Sequence, residues 1–213
     1  MATQTIKWQP DSSGFSQFMT NDTQYYGYGL WYYYTPSYEA QTSTVTAAVM
    51  KKSGANNVGY GVIFCYQDTN NFYRVMVDVI GHYTVLSRVA GTTSVIIPWS
   101  APHTAIINTG YNVANVITVT QQSLNNFTVS FNGVQETQFT DPNFTGGYAG
   151  FYTSVSSTAE NFPAVSEDVR CKLTSPVTYP VLVTTGLQAA PAQPGLNSLG
   201  SQEFGNVSDT LGQ

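Results

Sequence analysis

Residues 60–91 read YGVIFCYQDTNNFYRVMVDVIGHYTVLSRVAG. Apolar and polar side chains alternate with period two on either side of the turn signals DTNN (68–71), Ile80-Gly81 and Ala90-Gly91, so the run reads as strands joined by hairpins. Placing a turn at 80–82 sets Val79 opposite Tyr83, Val77 opposite Val85 and Val75 opposite Ser87, a largely apolar face for a core. The other face then carries Asp78 opposite Thr84, Met76 opposite Leu86 and Arg74 opposite Arg88. That face is expected to meet solvent.

The same alternation runs outward in both directions. It predicts strands near 27–34, 43–51, 58–66, 71–79, 82–90, 113–121, 125–132, 134–139, 147–154 and 165–173. Asn132-Gly133 reads as a tight hairpin turn, with Phe127, Val129 and Phe131 pointing one way and Thr128 and Ser130 the other. No window of a dozen residues carries a helical apolar period. Short strands at this spacing mean an all-β, antiparallel two-sheet sandwich or a barrel.

Composition agrees. Of 213 residues, 42% are hydrophobic and 14% aromatic, but only 9% are charged. Helix surfaces are usually dressed in Glu, Lys and Arg, whereas aromatics, Thr and Val suit strands. A net charge of −5 with seven basic residues argues against phosphate-backbone binding, which needs clustered Lys and Arg, so no nucleic acid is expected as partner. No apolar stretch reaches membrane-spanning length, and the first twenty residues show no signal-peptide pattern. Cys65 and Cys171 suit either one disulfide or two buried thiols. After Leu173 the chain turns rich in Pro, Gly, Ser and Gln. This divides it into a domain at 1–173 and a C-terminal arm or linker at 174–213, with one further strand expected at 177–185, limited by Pro176 and Pro180. The arm is read as a flexible tail or as a strand donor to a neighbouring copy, which would make a homo-oligomer.

The positions Gly61, Asp68, Asn71, Phe72, Tyr73, Arg74, Gly81, Tyr83 and Arg88 give the run a recognisable pattern. With NFTVSFNGVQETQFTDPNFTGGYAGFYT (126–153) and VSEDVRCKL (165–173), it resembles the concanavalin A-like (laminin G-like) jelly rolls. The resemblance covers residues 5–173 and implies that fold, an extracellular or cell-surface setting, and a scaffold shared by lectins, binding modules and hydrolases. The catalytic branches of that superfamily carry E-x-D-x-E on one strand, or an R-x-E strand with a Q-I-H strand. This chain has neither, and its adjacent Glu167 and Asp168 fall on opposite strand faces.

Candidate sites follow from side-chain chemistry. In YYGYGLWYYYTPSY (25–38), Trp31 and Tyr33 share a face that could stack on sugar rings or fill an interface. Arg74 and Arg88 repel across a hairpin and should attract an anion, with Asp78 and His82 as neighbours, or form a surface Arg–Asp–Arg network. Trp99, in IIPWSAPH after a proline-flanked strand end, suits a ligand contact or a plug over the core edge. Asp68 and Asn70 lie in an oxygen-rich loop, and Asp168 with Asp11 at the chain ends is a second cluster. Either suits a structural calcium ion, which many jelly rolls of the resembled family carry, although Asx residues also simply make turns. The sequence thus leads to a non-catalytic, lectin-like module recognising a glycan or polysaccharide. A self-assembling structural protein and a carbohydrate-active enzyme are the alternatives.

Overall fold

The structure is a computed structural model that describes residues 8–20, 26–32, 43–155, 167–174 and 201–207. They form fourteen strands and, among the described residues, no helix. In chain order these are β1 (Gln9–Pro10), β2 (Ser16–Thr20), β3 (Tyr26–Tyr32), β4 (Ser43–Ser53), β5 (Tyr60–Asp68), β6 (Asn71–Val77) and β7 (Tyr83–Val89). Then come β8 (Thr92–Ile97), β9 (Ala114–Ser123), β10 (Asn126–Phe131), β11 (Val134–Thr140), β12 (Tyr148–Val155), β13 (Glu167–Leu173) and β14 (Ser201–Val207).

Two seven-stranded antiparallel sheets result, one ordered β1-β2-β13-β4-β9-β10-β11 and the other β14-β3-β12-β5-β6-β7-β8. We call them sheets A and B. Alternation decides their faces. From sheet A, Val45, Ala47, Val49, Ile117, Val119 and Phe127 turn inward; from sheet B, Val62, Phe64, Tyr73, Val75, Val85 and Phe151 meet them. Aromatic rings interlock across the gap, with Phe64 at 5.6 Å from Phe127, and Tyr83 at 5.1 Å from Phe131. Two packed sheets with alternating inward residues are the β-sandwich architecture the sequence called for.

The central hairpin departs from its expected register by two residues. Val77 pairs with Tyr83, Val75 with Val85 and Arg74 with Leu86, while Arg88 lies opposite Phe72. A shift of two keeps every side chain on its face but separates the two arginines. The cause is Asp78. Its Oδ1 accepts hydrogen bonds from the N–H groups of Ile80, Gly81 and His82 at 2.9–3.0 Å, so the chain leaves the ladder after Val77 and a five-residue turn replaces the tight one.

The cysteine alternatives resolve to free thiols, both buried. Strand β14 pairs with β3 and occupies that edge of sheet B. The segment 177–185 lies outside the described residues.

Candidate functional site

The hairpin side expected to face solvent is the outer face of sheet B, and it is roofed over. Ile63, Tyr66, Phe72, Met76, Leu86 and Tyr152 form a second apolar cluster there, with Trp99 and Tyr148 packed on it. Arg74 is 1% exposed, and its guanidinium lies 4.5 Å from the centre of the Tyr152 ring. The expectation of an open basic surface is therefore corrected: Arg74 is a buried cation against an aromatic face. Trp31 pairs with Gly150, which pairs with Ile63, which pairs with Arg74, so one row of the sheet holds both Trp31 and Arg74. Tyr33 lies outside the described residues.

The other residues singled out disperse. Asp78, 2% exposed, holds its turn and accepts His82 Nδ1 at 2.6 Å through Oδ2. Arg88 sits at the opposite end of the hairpin, donating to Thr69 O at 3.2 Å and Thr93 Oγ1 at 3.3 Å. Asp68 is spent on its own loop, accepting the Asn70 N–H at 2.7 Å and Asn71 Nδ2 at 2.9 Å. Asp11 and Asp168 do come together, but around Arg170: Nη1 lies 3.0 Å from Asp11 and Nε 3.5 Å from Asp168. A guanidinium thus occupies the place a cation would take. Among the described residues, no three His, Cys, Asp or Glu side chains gather in metal-holding geometry.

Two polar clusters were not anticipated. Lys51 and Glu167, from adjacent strands β4 and β13, point into the sandwich and pair at 2.8 Å with no exposure on either side chain. Lys51 also donates to Ala55 O at 2.6 Å, and Glu167 accepts the Ala55 N–H at 2.8 Å, which closes the 53–58 loop over the pair. Burial pushes the Lys51 ammonium down and the Glu167 carboxyl up, and their attraction opposes both shifts. The parity of Val45, Ala47 and Val49 carried this signal, since Lys51 continues their inward series. At one end of the sandwich, His103 Nδ1 lies 2.9 Å from Glu136 Oε1, and Tyr83 donates to the same oxygen at 3.4 Å. Nothing in the spacing of residues 83, 103 and 136 announced that contact.

The open polar surface lies on the other side of the molecule. On the outer face of sheet A, Thr44, Thr120, Thr128 and Gln138 stand in register across four strands, with Gln138 exposed, Thr44 and Thr120 half-buried and Thr128 buried. Thr46, Thr118, Ser130 and Gln135 form a second row beside it. Hydroxyls pair across β4 and β9 at 3.2 Å, Thr44 with Thr120 and Thr46 with Thr118. No position in either row is charged; the charges of this face lie towards its other end, at Lys52 on β4 and at Asp168, Arg170 and Lys172 on β13. Where β9, β10 and β11 meet, a groove of about 530 Å³ opens beside the first row.

The sequence matches no known family profile and no curated protein. Among solved structures, the fold is similar to the carbohydrate binding module CBM66 from Bacillus subtilis, at 17% identity and a TM-score of 0.53 over 72% of this chain and 89% of the module. It is also similar to the binding domain of botulinum neurotoxin DC in complex with SialylT, at 11% identity and a TM-score of 0.50. A structure of botulinum neurotoxin type C, described through its interaction with two ganglioside molecules, matches at 10% identity and a TM-score of 0.50. Each toxin match covers 80% of this chain but 40% of the toxin chain. At such identities the likeness is one of fold.

Proposed function

We propose that this chain is a non-catalytic carbohydrate-binding module of the concanavalin A-like jelly-roll kind, acting outside the cell or at its surface. The observation that carries the reading is the charge-free lattice of hydroxyls and amides across β4, β9, β10 and β11. Such a face offers paired donors and acceptors to a polymer that is itself covered in hydroxyls. The fold likeness to a carbohydrate binding module, spanning 89% of that module, supports it, as do the glycan and ganglioside partners of the toxin structures.

Among the described residues, the engagement of the carboxylates supports binding without hydrolysis. Retaining and inverting glycosidases both place two carboxyl groups about a sugar bond. Here Glu167 is buried against Lys51, Glu136 is held by His103, and Asp141 accepts the Tyr73 hydroxyl at 2.5 Å. Asp11 and Asp168 share Arg170, and Asp78 and Asp68 hold turns. The test is binding of the full chain to an array of neutral and acidic glycans, with released sugar assayed in parallel. Retention without release supports the reading. A silent array, or steady release of sugar, contradicts it.

The pairing of β14 with β3 favours a second reading, assembly. In the sequence, 27 residues separate Leu173 from Ser201, and an extended chain spans at most about 3.5 Å per residue, so the strand could complete a neighbour's sheet. Its test is the mass in solution with and without residues 186–213.

A further inference from the structure

We propose that the groove at the β9–β10–β11 corner is a subsite for an uncharged sugar unit; this deepens the glycan-binding reading and rests on it. The groove is lined by Gln122, Asn126, Phe127, Gln138, Phe139 and Thr140. Its polar groups divide into a fixed set and a free set. Asn126 is fixed, since Nδ2 donates to Ser123 Oγ at 2.6 Å and Oδ1 accepts from Thr140 Oγ1 at 2.7 Å. Gln122 and Gln138 are exposed, and among the described residues their side-chain amides are not engaged in a hydrogen bond. Each free amide presents two donors and an acceptor, the complement of neighbouring sugar hydroxyls.

An exposed apolar side chain lies in sequence between the lining residues Gln122 and Asn126. Leu124 is 57% exposed at the tip of the β9–β10 turn. The buried Gln121 pins that turn, donating through Nε2 to Leu124 O at 3.0 Å and to Thr145 O at 2.9 Å. An exposed leucine two residues from Gln122 suits the C–H face of a pyranose or furanose ring. Charge sets the class. No lining residue is ionisable, and Asp141, next in sequence to Thr140, is turned onto the Tyr73 hydroxyl and Asn143. Among the described residues, no guanidinium or ammonium is placed to pair with a uronate or sulfate there, so the subsite takes a neutral unit. The row that ends at Gln138 runs back across β10, β9 and β4, a span of about 14 Å at about 4.8 Å per strand, and carries the rest of the polymer.

Affinity electrophoresis of the full chain tests this, in gels holding a soluble β-glucan, a fructan, a mannan, or the acidic polymers alginate and pectate. The expected result is retardation in at least one neutral gel and weaker or no retardation in the acidic ones. Gln122→Ala/Gln138→Ala should weaken that retardation at least tenfold and Leu124→Ala several-fold, without moving the thermal midpoint. Lys172→Ala, at the charged end of the same face, should change nothing. Unchanged retardation of the double variant overturns the subsite and leaves the glycan reading standing. Tighter binding to an acidic polymer overturns the neutral class. No retardation in any gel overturns the glycan reading, and the subsite with it.

Discussion

A lysine and a glutamate inside a β-sandwich set a cost that must be met locally. Each loses its hydration, and their attraction returns the loss only where the remaining donors and acceptors are also satisfied. The Ala55 backbone does this, giving its carbonyl to Lys51 and its N–H to Glu167. Glu167→Gln removes one charge and strands the other, so urea denaturation should show a loss of about 3–5 kcal/mol. A Lys51→Met/Glu167→Leu double variant should recover most of it; no recovery would mean that shape rather than charge holds the site. The buried thiols give a second test. Burial pushes Cys65 up to about 12, and Cys171 is raised by the same cause. Native protein should leave a disulfide reagent at pH 8 unreacted, and protein in guanidinium should titrate two thiols. At this scale parity made the inward position of Lys51 legible. It could not show that Glu167, on a strand more than a hundred residues away, would arrive beside it.

At the scale of elements, turn chemistry governs register. Asp78 gathers three backbone N–H groups on one oxygen and the His82 ring on the other, which fixes where β6 ends and β7 begins. Asp78→Ala strips a buried turn of charge-assisted bonds worth about 1.5–3 kcal/mol each, so stability should fall by at least that much in thermal or urea melts. The Ile-Gly turn that alternation predicts is too tight, because a side chain bonding its own backbone leaves no mark on alternation. The strands themselves were legible wherever alternation was strong, as in β4, β6, β9 and β10. It missed β1, β2, β8 and β14: β1 is two residues long, β2 and β14 are polar stretches with little contrast, and β8 gathers its apolar residues at one end instead of alternating them.

The turn between β1 and β2 gives a pH dependence. Burial alone would raise the Asp11 carboxyl, but the N–H groups of Phe15 and Ser13 and the Arg170 guanidinium together hold it below its ordinary value of 3.8. A folded value lowered in this way means the contribution is complete above that pH and fades as acid passes through the folded value. Wild type should therefore lose an increment of stability below pH 3.8 that Asp11→Asn lacks. Parallel acid melts would contradict this.

Across the whole molecule, the two outer sheet faces have opposite characters. Sheet B buries Arg74 among aromatics beneath a second apolar layer, whereas the β4–β11 half of sheet A presents hydroxyls and amides. Alternation shows which residues share a strand face. It does not show which distant strands become neighbours, so the rows across β4 and β9, joined over a separation of 72 to 76 residues, were beyond the sequence. Removing residues 186–213 deletes β14 and leaves β3 as the edge of sheet B. If the strand belongs to its own sandwich, the truncated protein should keep the mass of the full chain less the deleted piece and lose only local stability; collapse of an oligomer would show exchange between copies.

The most direct test of the account is backbone hydrogen exchange, followed with and without a neutral oligosaccharide that the full chain retains. Added protection should gather on β9, β10, β11 and the turn at Leu124, with the β5–β7 ribbon around Arg74 unchanged. Protection centred on that ribbon, or absent from sheet A, would contradict it.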